Sequence, residues 1–120
     1  RCGFLGRSMT RTRARVDKNQ DEIVALLRSW PGVTVQSLAS VGGGVPDLLV
    51  GYKQMTVLVE VKGAKGKLTT FQEDWHGRWT GAPVVIVRSQ EDAIKLLRNI
   101  DAIRRHLPHV DIDITKERDD

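Results

Sequence analysis

"GVPDLLVGYKQMTVLVEVKG", residues 44–63, decides the fold. Two apolar runs of strand length, 46–52 and 56–62, flank a short polar connection, which is the spacing of a β-hairpin. Pro46 stands at the entrance of the first run, where a missing N–H is tolerated. The second run alternates valine and leucine until Glu60 and Lys62 interrupt it. Residues two apart on a strand point to the same face, so this carboxylate and this ammonium are neighbours. Burying either without a partner would cost several kcal/mol, a large part of a domain's whole stability.

Closing the hairpin brings Asp47 toward Glu60 and Lys62. Two converging carboxylates need a cation, and a hard divalent ion suits them: Mg²⁺, with Mn²⁺ expected to substitute. Such an ion takes one or two protein carboxylates, keeps several waters and accepts phosphate oxygens. The lysine can then orient or deprotonate a water, or neutralise charge on a phosphate. The alternative is a structural salt bridge at a sheet edge, the natural reading of an isolated Glu-x-Lys. Asp47 one strand earlier, in otherwise apolar strands, favours catalysis.

Outward from the hairpin, "DKNQDEIVALLRSW" is an amphipathic helix with Ile23, Leu26, Leu27 and Trp30 at helical spacing, stopped by Pro31 and Gly32. "VTVQSLAS", residues 33–40, reads as a strand followed by a glycine turn at 42–44. Downstream, "GAKGK" is a basic loop leading into the helix "TTFQEDWHGRWT", whose apolar stripe is Leu68, Phe71, Trp75 and Trp79. Trp75 and Trp79 are assigned to the core rather than to base stacking. "PVVIVRS" follows as a strand buried on both faces. Ser89 then caps "QEDAIKLLRNIDAIRRHL", one helix or two, closed by Pro108. The order α-β-β-β-α-β-α predicts the α/β class, a mixed sheet flanked by helices.

The 120 residues suit one domain with a core of its own. A single cysteine, Cys2, excludes an internal disulfide and fits a reducing cytoplasm. No apolar run reaches the roughly 20 residues of a membrane span. The formal net charge of +4 is a mild bias toward nucleic acid. Residues 1–16 form a basic arm expected to be flexible, with arginine at every second position from 11 to 15; Met9 is the expected natural start. Residues 17–110 form the domain, and 111–120 an acidic tail. His76, His106 and His109 lack metal-like spacing and are assigned to surface or packing. No P-loop, dinucleotide fingerprint or serine-histidine-aspartate arrangement is present.

"GVPDLLVG" followed by "VLVEVKG" resembles the P-D…E-x-K signature of the PD-(D/E)XK restriction-endonuclease-like nucleases. The fuller pattern resembles the virus-type replication-repair nuclease (VRR-NUC) branch: a helix with an acidic residue, G-x-P-D, E-V-K, a basic loop, and "KLTTFQ" opening a helix. It covers residues 17–97. The resemblance implies a restriction-endonuclease-like core and a Mg²⁺-dependent DNA endonuclease leaving 5′-phosphate and 3′-hydroxyl ends. It puts metal on Asp47 and Glu60, assisted by the Val61 carbonyl, and makes Lys62 catalytic.

It also implies a helix-1 carboxylate, for which Glu22 is the best match and Asp21 stands beside it; a surface glutamate at the positive end of a helix is the other reading. Gln72 falls where the family's glutamine approaches the site, and it also completes a capping box with Thr69. Gly43 and Gly44 are candidates for close approach of a DNA backbone, or a plain turn. Lys65 and Lys67 are candidates for phosphate contact, or a solvated loop. Free-standing members are similar to Holliday-junction resolvases and act as homodimers, so branched or double-stranded DNA is the implied partner, in a bacterial or phage-infected cytoplasm. Linear or flapped DNA within a larger repair complex, or a silent DNA-binding module, are the rival readings.

Overall fold

The computed structural model describes residues 18–107. The basic arm 1–16 with Cys2 and Met9, the tail 111–120, Pro108 and His109 lie outside the described residues. An initial helix, α1, occupies 18–29 and buries Ile23 and Leu27 completely. Four strands follow: β1 (Thr34–Ser37), β2 (Leu48–Tyr52), β3 (Met55–Val61) and β4 (Val84–Val87). Helix α2 (Thr70–Arg78) connects β3 to β4, and α3 (Gln90–His106) closes the domain as one unbroken helix. The described residues thus form an α/β domain with a mixed four-stranded sheet and three helices. The expected order is matched loosely, since the strand read over 33–40 shrinks to Thr34–Ser37 and α2 begins only after its Thr69 cap.

Sheet order is β1-β2-β3-β4, antiparallel across the first two pairs and parallel between β3 and β4. The β2–β3 connection is a two-residue turn, with Tyr52 paired to Met55. Lys53 and Gln54 both have positive φ, 49° and 66°, a strain on non-glycine residues. Helix α3 holds them there: Lys53 Nζ lies 2.6 Å from Asp101 Oδ1, and Arg104 Nη2 donates to Gln54 Oε1 at 3.2 Å. Tyr52 donates to the same Asp101 oxygen at 2.9 Å.

Alternation along the strands divides the sheet into two unequal faces. Leu48, Val50, Val57, Val59, Val61 and Val87 pack with Ile23 and Leu27 of α1 and with Ala93, Leu96, Leu97 and Ile100 of α3. The opposite face carries Leu58 and Glu60 and meets α2, a helix with no buried residue. Two expectations are corrected here. Strand β4 is an edge strand with Ile86 exposed, because it pairs only with β3 and ends the sheet order. The stripe of α2 does not enter the core: Phe71 is 75% exposed and Trp79 42%.

Candidate active site

The β2–β3 register sets the site. Leu48 opposes Val59, so the next step of the antiparallel ladder places Asp47 beside Glu60. At that step a side chain replaces the backbone partner, and Asp47 Oδ2 accepts from the Val61 N–H at 2.7 Å. Glu60 is 1% exposed, the one buried charged residue among those described. Gln72 Nε2 donates to its Oε2 at 3.2 Å, and His76 Nε2 lies 3.2 Å from its Oε1. Burial first, then the hydrogen bond and charge of Asp47, push the Glu60 carboxyl up to about 8, with Lys62 acting in opposition.

Lys62 does not pair directly with Glu60 among the described residues. Its Nζ donates to Gln72 Oε1 at 2.7 Å, so Gln72 is the bridge between cation and carboxyl. The same Oε1 accepts from the Thr69 N–H at 2.9 Å, and Thr69 Oγ1 accepts from the Gln72 N–H at 3.2 Å. Gln72 therefore closes the capping box of α2 and also bridges Lys62 and Glu60.

Glu22 is not brought to this cluster. Ile23 and Leu27 take the inward positions of α1, while Glu22 is exposed and accepts from Gln90 Nε2 of α3 at 3.2 Å. Asp21 is exposed as well. The α1 residue that reaches the site region is Asn19, whose Nδ2 donates to the Lys62 carbonyl at 3.2 Å and the Arg88 carbonyl at 3.3 Å. Gly44 has a structural duty: its φ is 88°, and a β-carbon there would collide with the Phe71 carbonyl at the start of α2. Gly43 faces open space. Lys65 and Lys67 are exposed on the 63–69 loop.

Three contributors escape the sequence reading. His76, assigned only to surface or packing, borders Glu60, one turn beyond Gln72. Arg88 pins the basic loop from below, its Nη1 donating to the carbonyls of Gly63 at 2.6 Å and Gly66 at 2.8 Å. Asn19 ties the strand ends together. A glutamine and a histidine at i and i+4 were the available signal for the α2 face; Arg88 and Asn19 left none.

The donor set for a cation is a carboxylate pair. Among the described residues no three His, Cys, Asp or Glu side chains group as a metal cage. Adjacent Asp47 and Glu60 side chains, one of them buried and resisting ionisation, fit a hard ion that binds through one or two carboxylates and waters. No helix of the described residues is long and apolar enough to cross a membrane. No family model, curated protein or solved structure matches the chain.

Proposed function

We propose that this chain is a Mg²⁺-dependent, structure-selective DNA endonuclease on a restriction-endonuclease-like core, hydrolysing phosphodiester bonds of branched DNA as a homodimer. One observation carries the reading: a buried glutamate beside an aspartate, with a lysine two residues along held by a shared glutamine. A salt bridge serving stability alone would join Glu60 to Lys62 directly. Here Gln72 separates them.

Asp47 and Glu60 would hold the cation, with the Val61 carbonyl beside them, and the ion supplies charge neutralisation at the phosphate when bound. Gln72 and His76 fix the Glu60 carboxyl so that its oxygens need no reorganisation. Lys62 Nζ, oriented by Gln72, donates to the attacking water or to a phosphate oxygen. Arg88 and Asn19 hold the backbone that carries Lys62 and the following loop.

The test is cleavage of a labelled four-way junction and a matched linear duplex, with Mg²⁺ or EDTA, by the parent chain and Lys62→Ala. Paired Mg²⁺-dependent cuts on the junction alone, lost in the variant, support the full reading. Equal cutting of both substrates removes junction selectivity. Undiminished cutting by Lys62→Ala rejects the site.

A further inference from the structure

An aromatic row lies beside this site and outside the core. Phe71, Trp75 and Trp79 follow one another at four-residue spacing along α2 and its C-cap, next to the Gln72–His76 side that faces Glu60. Phe71 is 75% exposed and Trp79 42%, and none of the residues of α2 is buried. A helix joining a sheet face normally turns its largest apolar side chains inward. This one turns a glutamine and a histidine toward the sheet and leaves Phe71 and Trp79 at the surface, with Trp75 half-buried between them.

The two indoles are also held in place. Trp79 stacks on Trp75 with centroids 4.8 Å apart and planes 17° apart. Trp79 Nε1 donates to the Ala82 carbonyl at 2.7 Å, and a β-carbon on Gly81 would collide with the indole. The start of α2 is fixed in turn by Gly44 against the Phe71 backbone. Fixed rings lose little rotamer freedom on binding a flat partner. Lys65 and Lys67 stand exposed on the loop that feeds this helix, which Arg88 anchors. Exposed rings next to a cationic loop match a chain that alternates flat faces with negative charges.

We infer that the Phe71–Trp75–Trp79 row is a stacking platform for unpaired nucleobases, with Lys65 and Lys67 on the adjoining phosphates. The inference rests on the nucleic-acid reading of the neighbouring site and names the feature it takes: a single-stranded stretch next to the scissile phosphate. A fully paired duplex keeps its base faces stacked internally and has none to offer the row.

The test is binding without cleavage. Fluorescence anisotropy of labelled oligo-dT and of a blunt duplex of equal length is measured in EDTA, for the full chain and for Phe71→Leu, Phe71→Trp and Trp79→Ala. Phe71→Leu keeps the apolar surface and removes the π-face. Expected is a loss of oligo-dT affinity of about 5- to 100-fold in Phe71→Leu and Trp79→Ala, recovery in Phe71→Trp, and no change on the duplex. Thermal melting confirms that each variant is folded. Equal affinity of Phe71→Leu and the parent for oligo-dT overturns the platform. So does sedimentation showing a homodimer that Phe71→Leu dissociates, because the row would then be a subunit interface. Cleavage in Mg²⁺ by the parent and by Lys62→Ala, measured alongside, separates the two readings: stacking with no cleavage by the parent removes the nuclease only, and cleavage by the parent without stacking removes the platform only.

Discussion

At the scale of single residues, Glu60 sets the terms. Its carboxyl titrates at about 8 in the folded chain against an ordinary 4.5. Below pH 4.5 folded and unfolded chains both hold the proton. Between 4.5 and 8 the unfolded chain gives it up first, so each rise in pH favours unfolding. The metal-free protein is therefore expected to lose stability through that window, and Glu60→Gln, with no proton to lose, to flatten the slope. Circular-dichroism melting in EDTA checks this: the variant should melt above the parent at pH 8 and close to it at pH 4.5. Mg²⁺ added at pH 8 should raise the melting temperature of the parent and leave that of the variant alone. A slope that survives in the variant would place the titrating group elsewhere.

Glu60 and Lys62 were legible because charges interrupt an apolar alternation, and Asp47 because hairpin closure brings it alongside. His76 was not, because its part depends on which side of α2 faces the sheet.

Among the elements, α2 shows most clearly where pattern reading stops. Helical periodicity locates an apolar stripe, and it cannot tell a stripe that packs from a stripe that binds. The stripe through Phe71, Trp75 and Trp79 implied one rotation of the helix, and Gln72 and His76 fix another. Strand β4 misleads in the same way, since "VVIV" fits a buried strand and a half-open edge equally well.

The loop between β3 and α2 is anchored by Arg88, which no local pattern announces. Removing its guanidinium takes the side-chain donor from the Gly66 carbonyl and leaves the Gly63 carbonyl with the Gly66 N–H alone. Arg88→Met, which keeps most of the stem, is expected to lower unfolding free energy by about 1.5–3 kcal/mol, the range for hydrogen bonds to a charged group. Amide exchange over 63–67 should accelerate while exchange in β2 stays as in the parent. Urea unfolding with hydrogen-exchange mass spectrometry reads both, and uniform acceleration across the sheet would assign Arg88 to global stability instead.

For the molecule as a whole, the core and the candidate site occupy opposite faces of one sheet. The face under α1 and α3 holds the continuous core, so Leu97→Ala, at a fully buried position, is expected to cost about 2–5 kcal/mol in urea unfolding. The face under α2 holds the carboxylate pair and the exposed aromatic rings, and substitutions there should move binding or turnover more than folding. A cost below about 1 kcal/mol for Leu97→Ala would mean that the core face relaxes around the cavity.

The net +4 is modest, and its effect on a polyanion depends on where the cations stand. Lys65 and Lys67 are exposed at the end of β3, beyond the carboxylate pair, while Lys53 is occupied by Asp101 at the far hairpin turn. Each phosphate a lysine neutralises releases condensed counterions, and the slope of log affinity against log salt falls by roughly 0.9 for each contact on duplex DNA. Lys65→Ala with Lys67→Ala should accordingly reduce the steepness of that slope by roughly 2, measured by anisotropy on duplex DNA in EDTA across about 50 to 200 mM salt. Lys53→Ala should leave it unchanged, since that side chain lies at the opposite end of the strands. A slope indifferent to the double substitution would make 63–67 a solvated loop and move the phosphate path to another edge of the sheet.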